Sequence, residues 1–128
     1  MARMKDDLEV ANMVDINAIT KNNENHVIEW KESWHDKYLE WICGYANAQG
    51  GILYIGIDDD GNAVGLDNKT IKRLLEDIPN KISAAFGITC DVNQRTTKKK
   101  KYIQIVVKKS ALPLNLHGHY YYRTGSVK

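Results

Sequence analysis

Three acidic positions have residue types and surroundings that could do chemistry together. Glu24 and Glu29 are five residues apart, and Asp59 follows an apolar run that ends at Ile57. Carboxylates that converge hold Mg²⁺ or Mn²⁺, and such an ion activates water and stabilises charge on a phosphodiester. Convergence requires the segments carrying these acids to pair as strands. A five-residue separation in a regular strand puts Glu24 and Glu29 on opposite faces. Three separate solvated carboxylates therefore stand as the alternative.

The second chemical feature is basic. Lys98, Lys99, Lys100 and Lys101 form a run with Arg95 just before it, and Lys108, Lys109, Arg123 and Lys128 follow. Cations in this number can contact a phosphate backbone and release condensed counterions, which makes affinity salt-dependent. The plain alternative is a solvated hairpin tip whose lysines discourage edge pairing. The charge is unevenly placed. Residues 1–80 carry 8 Lys/Arg against 15 Asp/Glu, and residues 81–128 carry 10 against Asp91 alone, although the whole chain nets only +2. A basic half suggests a polyanionic partner, or else two halves that neutralise each other within one fold.

Other chemistries find no support. Asp58-Asp59-Asp60-Gly61 resembles part of a calcium loop, but the first ligand position falls on Gly56. No phosphate-cradling GxxxxGK[ST] and no dinucleotide GxGxxG is present. His117 and His119 are spaced to share one face of a strand, which alone is a weak metal signal. Cys43 and Cys90 lie far apart in apolar contexts and read as reduced, packed thiols.

The elements that must position these residues can be read from periodicity. The chain has 128 residues, 43% apolar and 27% charged, which fits one ordinary soluble domain. No apolar run reaches the roughly 20 residues that span a bilayer, and the N-terminus has no apolar leader segment. A cytoplasmic location is the expectation. Residues 1–23 read as an arm or short helix, and 24–128 as the domain. His26–Lys31 is expected to be a strand. Tyr38, Trp41, Ile42 and Tyr45 mark one helix face, with Ser33 as its cap and Gly50 as its stop. Gly51–Ile57 is a buried strand, Asp58–Gly61 a turn, and residues 62–66 a short returning strand. Asp67 or Asn68 caps a helix through Ile71, Leu74, Leu75 and Ile78, with Pro79 either kinking it or starting another. Residues 88–94 and 102–109 are two strands joined by a hairpin tip, and residues 119–124 are a last strand. The fold class is α+β, with helices packed on a mixed or antiparallel sheet.

Three stretches in this order also resemble a known family. They are ENHVIEWKES (24–33), WICGYANAQGGILYIGIDDDGNAVGL (41–66) and YYYRTGS (120–126). Together they resemble the Schlafen AlbA-like domain, a family associated with DNA binding. Tyr45 and Trp30 stand where that family commonly has phenylalanine. In bacterial and archaeal members the domain is typically the N-terminal part of a longer, regulator-like or helicase-like protein. In vertebrate Schlafen proteins two such domains form a U-shaped core that binds tRNA or other RNA. Some of those cores are metal-dependent ribonucleases with three carboxylates, and the resemblance places these on Glu24, Glu29 and Asp59. It thus implies Mg²⁺ or Mn²⁺ as a cofactor; with one domain's length in this chain, a homodimer that rebuilds the two-domain core is a further expectation.

Three functions follow as expectations. The first is a nucleic-acid-binding module that contacts backbone phosphates through Arg95, Lys98–Lys101, Lys108, Lys109 and Arg123. The second is a metal-dependent nuclease with Glu24, Glu29 and Asp59 catalytic and Lys31 steadying phosphate charge. The third is a dimerisation or regulatory domain without direct nucleic-acid contact.

Overall fold

The structure, a computed structural model, describes residues 27–123. The N-terminal arm, Glu24, His26, and Thr124 to Lys128 lie outside the described residues. Four strands form one sheet. They are β1 (Val27–Lys31), β2 (Gly51–Ile55), β3 (Asp91–Thr97) and β4 (Lys100–Val107), in the order β1-β2-β4-β3. β1 and β2 are parallel, with Glu29 opposite Leu53, and the other two pairings are antiparallel. A parallel pair needs a crossover, and helix α1 (Leu39–Asn47) supplies it. Helix α2 (Asn68–Phe86) leads from β2 to β3. This is an α+β fold, a mixed four-stranded sheet with two helices.

Side-chain alternation divides the sheet. Leu53, Ile55, Ile103, Ile105 and Val107 face the helices and meet Ile42, Tyr45, Ile71, Leu74, Ile78 and Ile82, all buried. Each such side chain contributes roughly 2 kcal/mol over an exposed one. The other face holds a smaller cluster of Tyr54, Tyr102, Ile57 and Ala63, with Ile28, Trp30 and Ile52 half-buried against it. β2 is apolar on both sides because it is central and covered on both.

α2 starts where its cap demands. The Asp67 carboxylate accepts the Thr70 N–H at 2.7 Å, and Ile71, Leu74, Ile78 and Ile82 make the buried stripe. Pro79 lies inside this single helix. Its missing N–H leaves the Leu75 carbonyl without its helical partner, yet packing of the stripe on both sides carries the helix through. α1 begins later than its sequence suggests. Ser33 does not cap it, and a 3-10 turn over Asp36–Tyr38 precedes it. The helix face of Tyr38, Ile42 and Tyr45 is buried as its spacing predicts, with Trp41 packed beside it. Gly50 then takes φ +87°, which lets the chain reverse, and its N–H donates to the Tyr45 carbonyl at 2.8 Å.

Two expected strands are absent among the described residues. Residues 62–66 make only one bridge, Ile57 to Ala63, because the Leu66 N–H turns away to the Lys101 carbonyl. Residues 120–123 lie on α1 instead of a sheet edge. There the Asn47 side chain and the Gly44 carbonyl take their backbone groups. β3 begins three residues later than residues 88–94 suggest, and the hairpin tip is only Lys98-Lys99. No described helix is long and apolar enough to cross a membrane.

Candidate functional site

Val27, Glu29 and Lys31 share the helix-facing side of β1 by alternation. β1 is an edge strand, so Glu29 and Lys31 sit at the rim of the core and remain part-exposed. Arg123 reaches Glu29 from the far end of the domain, and its Nη2 donates to Oε1 at 3.1 Å. The same guanidinium lies 5.0 Å from the Trp41 ring centre and 5.6 Å from that of Tyr45. Lys31 Nζ is 5.5 Å from the same indole. Two cations therefore flank one electron-rich ring, a favourable arrangement at a partly desolvated rim.

The backbone of Arg123 is seated by its N–H, which donates to the Gly44 carbonyl at 3.0 Å. A Cβ at position 44 would lie 2.8 Å from Arg123 Cγ and 3.2 Å from its backbone nitrogen. Only glycine leaves this space. Tyr45, fully buried below, has a hydroxyl with no hydrogen-bond partner among the described residues. Burial pushes its phenol well above the ordinary range, against the pull of Arg123.

The Asp58–Gly61 turn has a structural carboxylate. Asp58 Oδ1 accepts the N–H groups of Asp60 and Asn62 at 2.9 and 3.0 Å. Asp59 and Asp60 are exposed. The turn follows the C-terminal end of β2, and Gly56 and Ile57 both donate backbone N–H groups to the Lys31 carbonyl. Asp59 is thus beyond the end of β1, while Glu29 is in its middle. Among the described residues no three His, Cys, Asp or Glu side chains are grouped to hold a metal ion. The carboxylate of Glu29 faces a guanidinium, and Glu24 lies outside the described residues. The described residues do not by themselves fit a metal site.

The basic residues divide into groups. Lys98, Lys99 and Lys100 are exposed at the β3–β4 hairpin. Lys98 and Lys99 have φ of 49° and 67°, the left-handed region. With Asp58, Asn62 and Val64 this tip borders an open cleft of about 520 Å³. Lys101 donates to Asn68. Arg95 lies on the sheet face away from the helices, where Nε and Nη2 donate to Gln104 Oε1 at 3.3 and 3.1 Å. Lys108 and Lys109 are exposed past the opposite end of β4. An eight-residue strand separates them from the tip by about 25 Å. Neighbours in sequence are therefore two poles in space.

The histidines do not share a strand face. They sit in a tight turn with a Leu116–His119 bridge, and His117 has φ +52°. Both cysteines are free, as expected from their apolar contexts. Burial raises both thiols, Cys90 to about 11 with Asp91 adding to the effect. Neither is a ready nucleophile. Sequence reasoning missed Trp41 as the ring shared by two cations, and Tyr120 and Tyr122 as outward-facing rings. The only signal for the latter was their two-residue spacing.

Comparison with known proteins gives a consistent family. Residues 24–128 match the family described as Schlafen, AlbA_2. Two solved structures share the fold at a TM-score of 0.63 and 19% identity. One is a Corynebacterium diphtheriae protein, for which the match covers 99% of this chain and 26% of that one. This chain therefore spans about a quarter of that relative's length. The other is the N-terminal domain of a Nitrosomonas europaea protein described as related to the ATP-dependent DNA helicase RecG, with 88% of each chain covered. No curated protein matches the chain.

Proposed function

From the premise that this chain belongs to the Schlafen AlbA_2 family, we propose that it is a nucleic-acid-binding domain that contacts backbone phosphates without reading bases. The observation that carries this reading is the β3–β4 hairpin. Its two central residues are lysines held in the left-handed region, where asparagine and glycine are the relaxed choices. Backbone strain of this kind persists where surrounding structure enforces it, and it clusters at functional sites. Lys98, Lys99 and Lys100 present three charges from a short, well-paired tip. Phosphate contact by such a tip fixes position on a nucleic acid and carries no sequence information. The helicase relation of the Nitrosomonas europaea protein is consistent with this partner.

Arg95 and Arg123, two of the basic candidates, belong to internal contacts with Gln104 and Glu29. We assign Arg123 to seating the C-terminal segment, and the lysines to phosphate. The test is the affinity for a random-sequence duplex across a salt series. Binding should fall steeply with salt, and replacing Lys98, Lys99 and Lys100 with alanine should weaken it equally for unrelated sequences. An affinity indifferent to salt and to these substitutions refutes the proposal.

A further inference from the structure

Beyond the end of β4 opposite the hairpin, the chain folds back over α1 and borders an open cleft of about 400 Å³. Tyr120, Tyr122, Leu112, Pro113 and Lys109 line it. Tyr120 and Tyr122 are each 67% exposed, a large aromatic surface for a chain that buries Tyr38, Tyr45, Tyr54 and Tyr102. The rings are held outward by a fixed backbone. Asn47 Oδ1 accepts the Leu114 N–H at 2.7 Å. Asn47 Nδ2 donates to the Leu114 and Tyr121 carbonyls, both at 2.8 Å. One side chain thus ties together the two segments that border the cleft. Between the exposed rings, Tyr121 is half-buried, and after them Arg123 is bound to α1.

We infer that this cleft takes the unpaired bases of a single-stranded nucleic acid, with Tyr120 and Tyr122 as stacking surfaces and Lys109 on an adjoining phosphate. The inference rests on the phosphate-binding reading above and names the substrate class. Every base has a π face, so aromatic rings beside a cationic rim bind single strands with little sequence preference. In a duplex the faces are already stacked and closed to the rings. Tyrosine rings also lose little conformational freedom on binding. The exposed Lys109 in the same lining favours a polyanion over an apolar peptide.

The test uses fluorescence anisotropy with labelled oligo(U), oligo(dT) and a duplex, each of about twelve nucleotides per strand. The wild-type protein should bind single strands more tightly than duplex, and the two oligomers separate RNA from DNA as the source. Tyr120→Ala/Tyr122→Ala should weaken single-strand binding roughly 5- to 150-fold for each stacked base removed, and change little on duplex. Tyr120→Phe/Tyr122→Phe should retain binding. An alanine variant that keeps single-strand affinity, or weakens on both substrates equally, overturns the inference. So does a variant altered only in self-association by light scattering, which would make the face a protein contact. Both rings are exposed, so the variants should melt with the wild-type protein. If duplex binding depends on Lys98–Lys100 while the tyrosines are inert, this inference falls and the phosphate reading stands. If neither substrate binds, both fall.

Discussion

Lys98→Asn/Lys99→Gly should make this protein more stable and a poorer binder at once. The two lysines occupy the central positions of a two-residue hairpin with φ of 49° and 67°. An L-residue with a side chain costs about 1–2 kcal/mol in that region. Asparagine and glycine adopt it with little strain. Glycine gives back roughly 0.5–1 kcal/mol through its greater freedom in the unfolded chain. Over the two positions the net gain is about 1–3.5 kcal/mol, and a domain of this length should melt roughly 4–14 °C higher. Each phosphate left without its lysine flattens the dependence of log affinity on log salt by about 0.9 on duplex, so removing two lysines should flatten it by about 2.

The assay pairs thermal unfolding by circular dichroism with anisotropy across a salt series. Lys98→Ala/Lys99→Ala separates the causes, because it removes both charges and keeps a Cβ at each strained position. It should flatten the salt slope equally and gain only what relief of lysine repulsion supplies. If the two variants melt alike, backbone strain is not what the lysines impose. If the slope is unchanged in both, the hairpin does not touch phosphate.

Tyr45→Phe removes a fully buried hydroxyl that lacks a partner among the described residues and should stabilise the fold by about 1 kcal/mol, read as a raised midpoint in urea; a destabilisation of that size would show that the hydroxyl is satisfied. Arg123→Ala deletes a half-buried ion pair and its packing on two rings and should cost about 1–2 kcal/mol. A double-mutant cycle with Glu29→Gln should give about 0.5–1 kcal/mol of coupling, and zero coupling would mean that the pair is only a proximity. The carboxyl of Asp67 is held below its ordinary 3.8, first by the Thr70 N–H. The folded state thus favours the charged form, so this contribution is present above about pH 4 and lost as pH falls through the lowered value. Asp67→Asn, which can cap without charge, should show a shallower fall in melting temperature from about pH 5 to pH 2 than wild type; identical slopes would remove Asp67 from the acid response.

What could be read from sequence depended on whether the signal was local. The stripe of Ile71, Leu74 and Ile78 and its Asp67 cap are local, and α2 follows them through Pro79. The apolar run after Gly51 became the central strand for the same reason. Residues 62–66 and 119–124 also have local strand character, but a strand needs a hydrogen-bonding neighbour, and no periodicity reveals one. The Tyr121 carbonyl finds the Asn47 side chain instead. The basic residues failed differently. Charge counts treat Lys98–Lys101 and Lys108-Lys109 as one patch, while the length of β4 holds them at opposite ends of the sheet. The counts also cannot show that Arg95 and Arg123 have internal partners.

Glu29, Gly44 and the Tyr-Tyr-Tyr-Arg segment look like three independent motifs in sequence and act as one packing unit in space. Glu29 faces α1 because β1 places odd-numbered residues on that side. Gly44 lacks the Cβ that would exclude Arg123. Arg123, admitted there, covers Trp41 and Tyr45 and closes on Glu29. Tyr122 is its immediate neighbour, so the same ion pair that anchors Arg123 also fixes where the exposed rings stand. The edge strand β1 is thus linked to the aromatic cleft through a single guanidinium.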